Sequence, residues 1–160
     1  MQLVVIFIFS ATLANGLLAG GDVDRCLVGM PAWQSVGVLG WAKYSRLADL
    51  GNGFVLYPLL AIGGTLLSLA AAATFIRQAK HERFVAIPVY AAAALAVAGL
   101  LMTVKAALSL RHIGNEEVAL LKHAFNGFKL WGGVRTVLQT LAFAANLWSL
   151  AAIAKHQSAD

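Results

Sequence analysis

The chain of 160 residues has one cysteine, three prolines and only seven acidic residues. A lone Cys26 excludes an internal disulfide, a CxxC redox pair and a cysteine-rich zinc site, and with them the membrane quinone reductases built on paired thiols. Charged residues make up 12% and hydrophobic residues 60%, against about 25% and roughly 45–50% in soluble domains. The sequence has no low-complexity region and no internal repeat strong enough to set its architecture. The net charge of +5 comes from cations scattered among helix ends and never from a dense basic run. Nucleic acid is therefore excluded, and anionic lipid headgroups are the expected partner.

What the chain has instead is length of apolar run. Four segments, 3–21, 54–76, 84–110 and 131–154, each approach or exceed the roughly 20 residues that cross a bilayer. The expected fold is all-α: one integral membrane four-helix bundle over residues 1–160. Segment 3–21 has no Lys or Arg ahead of its apolar run, which is longer than a signal-peptide core, so it reads as a retained helix. Pro88 falls in the first turns of the third segment and need not break it. The RQAKHER turn at 77–83 and Lys155 place their side of the membrane in the cytoplasm, with both termini, in a bacterial inner membrane or its equivalent.

The two outer connections have helical patterning of their own. Trp33, Val36, Trp41, Tyr44 and Leu47 recur at three to five residues, as do Val118, Leu121, Phe125 and Phe128. Each pattern predicts an amphipathic segment lying at the interface, over 31–50 and 116–130.

Polar residues inside apolar helices carry the functional question, because an unpaired one costs at least a few kcal/mol. On the fourth segment Trp131, Arg135, Gln139, Asn146 and Ser149 share about 80° of helical arc. Asn15 and Asp22 lie a heptad apart on the first segment, and Lys105, Ser109 and His112 line one side of the third. Asp49 and Asn52 stand at the entrance of the second. All fall toward the outer leaflet, where one chamber would hold them. The bland alternative is that the aspartates are solvated helix ends, Lys105 snorkels and Arg135 fastens the bundle. His81 and His156 lie on one side, His112 and His123 on the other, without metal-ligand spacing, so no metal is expected.

The stretches DVDRCLVGMPAW, WAKYSRLADLGNGFVLYP and FNGFKLWGGVRTVLQTLAFAANLWSLA together resemble the anthrone-oxygenase-like family of small four-helix membrane proteins, many of which carry only a domain-of-unknown-function label. The likeness runs in order along nearly the whole chain. It singles out Trp41, Tyr44, Arg46, Asp49, Asn52 and Pro58 in one motif and Phe128, Trp131 and Arg135 in the other. Characterised relatives oxidise polycyclic anthrones with molecular oxygen and no evident metal or flavin.

The resemblance therefore implies a cofactor-independent oxygenase acting on an apolar aromatic molecule. A base removes a C–H proton and a cation holds the resulting anion. Asp49 or Asp22 would be the base, Arg135 and Lys105 the anion holders, and Tyr44, Phe128 and Trp131 the stacking platform. Asn15, Arg46, Asn52, Gln139 and Asn146 would complete the chamber. No histidine falls there, so a histidine base has no counterpart. The competing expectation is a non-enzymatic bundle, either a small-molecule carrier or an assembly partner; a homo-oligomer is compatible with both.

Overall fold

In a computed structural model, which describes residues 2–77, 83–107 and 110–157, with the side chains at 83, 103–107, 111 and 157 outside the description, the described chain is almost wholly helical. Helix α1 (Gln2–Asp24) leads through a wide π-type turn (Arg25–Gly29) into α2 (Met30–Leu47). A second wide turn (Ala48–Asn52) leads into α3 (Gly53–Ile76), followed by α4 (Arg83–Ala107), a short 3₁₀ turn (Leu110–His112) and α5 (Val118–Gln157).

Among the described residues three helical stretches are long and apolar enough to cross a membrane: Gln2–Ile76, Phe84–Met102 and Val118–His156. Drawn straight, the first would reach about 110 Å at 1.5 Å per residue. It instead doubles back, since Val4 and Ile8 of α1 share one core with Ala71, Ala72 and Phe75 of α3. At the other end Arg25 lies over the ring of Tyr57. Helices α1 and α3 are therefore antiparallel. Helix α5 also runs antiparallel to α1, joining Ala152 and Ile153 to Val4 and Ile8 and Arg135 to Asp22. Helix α4 closes the ring of neighbours, with Val85 and Val89 in that core and Thr65 Oγ1 of α3 donating to the Ala96 carbonyl at 3.3 Å.

Between this apolar core and α2, which with the first turns of α5 forms a cap over the Asp22 end of α1, lies a polar layer. Gln139 Nε2 donates to Asn15 Oδ1 at 2.6 Å, Asn15 Nδ2 to Ser68 Oγ at 3.2 Å, and Ser68 Oγ to the Gly64 carbonyl at 2.8 Å. Glycine makes the room: a Cβ at Gly64 would stand 2.8 Å from Asn15 Oδ1, and one at Gly99 of α4 3.2 Å from Gln139 Oε1. Each interhelical hydrogen bond contributes about 1 kcal/mol in a bilayer. Their larger effect is positional.

The cap differs from expectation in form. Segment 116–130 is not a separate interfacial helix: from Val118 it forms the first turns of α5, which continues unbroken to Gln157. No proline interrupts it, and Leu121, Ala124 and Phe125 are buried against Met30, Trp33 and Trp41 of α2. Helix α2 covers the other predicted segment but breaks at Gly37, whose φ of 80° and ψ of 171° belong to a region essentially reserved for glycine. The break divides the expected apolar face. Trp33 and Trp41 turn inward while Val36, Tyr44 and Leu47 remain exposed. Trp41, expected at the membrane interface, is 2% exposed and stacks on Phe125 and Phe128. Helix α4 is described over Arg83–Ala107, Leu110 of the expected span lies in the 3₁₀ turn, residues 108–109 lie outside the described residues, and Pro88 is in the second turn of the helix.

Candidate functional site

Asp22 sits in the last turn of α1 and is 2% exposed. Arg135 reaches it from α5 as a fork: Nε donates to Asp22 Oδ2 at 3.1 Å, and Nη2 donates to Oδ1. Both carboxylate oxygens are thus occupied by one guanidinium, the geometry in which a buried pair best offsets its desolvation. Thr136 Oγ1 donates to the Gly132 carbonyl at 2.8 Å and lies 3.3 Å from the Asp22 carbonyl, tying α5 to the end of α1.

This pair opens on a pocket of about 170 Å³ between the end of α1, the first wide turn and α5. Asp22, Arg135 and Thr136 supply polar wall, and Cys26, Met30 and Phe128 the softer apolar wall. Arg25 and the exposed Lys129 add cationic groups. Gly132 and Gly133 leave the space open, since a Cβ on either would meet nothing within 4 Å.

Asp49 has a different partner from the one expected. It pairs with Arg25, not Arg135, because the first wide turn carries Arg25 to the second, where Asp49 resides. The Arg25 guanidinium also lies 4.1 Å from the centroid of the Tyr57 ring, a cation–π contact that holds it in place. Asp49 keeps one oxygen, Oδ2, buried and without a hydrogen-bond partner.

The other predicted residues divide by depth. Phe128 lines the pocket with Asp22 and Arg135. Asn15 and Gln139 form the polar layer instead, while Asn146 is buried two turns beyond Gln139 with its Nδ2 unpartnered. Trp131 is half-buried and is not among the residues that line the pocket. Tyr44 is exposed and packs its ring against Trp33. Arg46 is not among the pocket's lining residues: it donates to Asn115 Oδ1 at 2.6 Å and to the Ile113 carbonyl at 2.5 Å, fastening α2 to the connection before α5. Asn52 is exposed rather than turned toward Arg135. The Lys105 side chain lies outside the described residues.

Sequence reasoning passed over Arg25, Cys26, Met30, Tyr57, Lys129, Gly132, Gly133 and Thr136. Two signals were available. The opposite charges gathered in DVDR at a helix end mark a pairing site, and paired glycines two and three residues before an intrahelical arginine mark an open space beside it. Among the described residues no group of three His, Cys, Asp or Glu is placed to hold a metal ion. The arrangement can receive an apolar body against Met30 and Phe128 and present a guanidinium to its polar end. No known protein family, curated protein or solved structure matches the chain.

Proposed function

We propose that this is a four-pass membrane protein that binds a compact apolar molecule carrying one polar group, and that it oxidises such a molecule with molecular oxygen and no cofactor. The four crossings would be α1, α3, α4 and the second half of α5. Both termini would then be cytoplasmic, which predicts that tags at either end of the full chain are digested by protease only in inverted vesicles. Digestion of one tag in right-side-out vesicles refutes the topology.

The observation that carries the binding reading is the Asp22–Arg135 pair opening onto a pocket with apolar walls. At about 170 Å³ it is close to the roughly 150 Å³ that accepts benzene and below the roughly 300–1,000 Å³ of drug-sized sites. One ring of a polycyclic anthrone would enter, and the remaining rings would stay in lipid. The oxygenase chemistry rests on the family resemblance. Within it, Arg135 holds the anion formed on losing the C–H proton, and Asp22 holds Arg135. Proton removal falls to Asp49, the carboxylate with an unclaimed oxygen.

The test is oxygen uptake by the purified protein in lipid nanodiscs with anthrone. Uptake is expected for the wild type and is expected to fall at least tenfold in Gly133→Leu, which fills the open space without replacing a charged residue. Equal uptake by the two proteins removes the pocket from the mechanism. A second reading, a non-enzymatic carrier or assembly partner, draws on the closed fork between Arg135 and Asp22. Anthrone binding that Gly133→Leu abolishes, with no uptake in the wild type, selects it.

A further inference from the structure

Three buried polar atoms along α2 and the turn that follows it have no hydrogen-bond partner: Trp41 Nε1, Ser45 Oγ and Asp49 Oδ2. Trp41 and Ser45 are each 2% exposed. Their spacing of i, i+4 and i+8 stacks them on one side of the helix, about 6 Å apart in rise. Each end of the column contacts a residue that lines the pocket. The Trp41 ring lies 5.5 Å from that of Phe128, a lining residue, and Asp49 pairs with Arg25, another.

Buried polar atoms are rarely left unpaired, and three in file along one face call for a shared kind of partner. An indole N–H only donates, an ionised carboxylate only accepts and a hydroxyl does both. The occupant must therefore accept at Trp41, donate at Asp49 and do either at Ser45. An O–H group meets all three demands. A carboxylate or phosphate meets Asp49 with like charge, and an ammonium cannot accept from Trp41.

We infer that the Trp41–Ser45–Asp49 column is a hydroxyl-binding site, filled by water or by the hydroxyl of a small neutral molecule seated in the adjoining pocket, and closed to anions. The ligand arm rests on the pocket proposed above; the water arm does not.

The test uses the full chain in nanodiscs with ¹⁵N-labelled tryptophan, the Trp41 indole signal being identified by its loss in Trp41→Phe. That N–H should exchange with water within seconds despite its burial. Cyclohexanol should shift the signal and cyclohexanecarboxylate should not, and Ser45→Ala should weaken cyclohexanol binding about two- to tenfold, the effect of one neutral hydrogen bond. Water exchange without a response to cyclohexanol supports the site with water as its occupant. An indole N–H protected for hours and unmoved by cyclohexanol overturns it, as does a carboxylate that shifts the Trp41 signal as much as the alcohol does. Gly133→Leu separates the two proposals. Cyclohexanol binding lost there while the wild-type Trp41 signal neither responds to the alcohol nor exchanges with water leaves the pocket standing and removes the column. Water exchange at Trp41 with no cyclohexanol bound anywhere leaves the column standing and removes the pocket.

Discussion

Arg135→Ala is expected to destabilise the protein by about 3–5 kcal/mol, the cost of leaving a buried charge without its partner. Asp22 is 2% exposed and both of its oxygens are held by that one guanidinium. Removing Arg135 strands a carboxylate at a helix end where little water reaches. Asp22→Asn combined with Arg135→Met should recover most of the loss, because replacing both members of a buried pair by groups of similar size is close to neutral. Reversible unfolding in mixed micelles of sodium dodecyl sulfate and dodecyl maltoside measures both. A single variant as stable as the wild type would mean that the fork is not closed. The same argument governs how activity is read: lost oxygen uptake in Arg135→Ala alone would reflect lost fold as much as lost chemistry. The double variant is the proper control.

Trp41→Ala should cost about as much, roughly 3–5 kcal/mol for truncating a buried tryptophan, but locally. The Trp41 ring fills the space between α2 and α5, in contact with Phe125 at 5.1 Å and Phe128 at 5.5 Å between centroids. Without it α2 keeps Trp33, Met30 and the Arg46 contacts as its fastenings. The expected result is rapid proteolysis within α2, centred on the break at Gly37, while α1, α3, α4 and α5 stay protected. Trp41→Phe preserves the ring contacts and should cost much less. Uniform loss of protection along the chain would show that α2 and the bundle unfold as one unit.

The long apolar helices were readable because run length in a bilayer needs no tertiary information. The polar stripe on α5 was readable for the same reason that it is costly: Arg135, Gln139 and Asn146 cannot face lipid unpaired. Their partners were not readable. Asp22 and Asp49 are equivalent in sequence, each an aspartate near a helix end, and only the two wide turns decide that Arg25 takes Asp49 and leaves Asp22 to Arg135. A π-type turn adds no marker residue to the sequence. It changes where a side chain points while preserving the helical pattern. The fusion of the 118–130 segment into α5 was hidden by Gly127, Gly132 and Gly133, which resemble punctuation between elements but are tolerated in a helix supported by packing.

The chain of donors from Gln139 through Asn15 and Ser68 to the Gly64 carbonyl does for α1 what lipid cannot. A hydrocarbon solvent is indifferent to which apolar flank of a helix it wets, so α1, with leucines, isoleucines and phenylalanines around much of its circumference, has little reason of its own to prefer one rotation. Gripped at Asn15 from both α3 and α5, it can neither spin about its axis nor slide by a residue without breaking both holds. Seven positions further along, that indexing delivers Asp22 to Arg135.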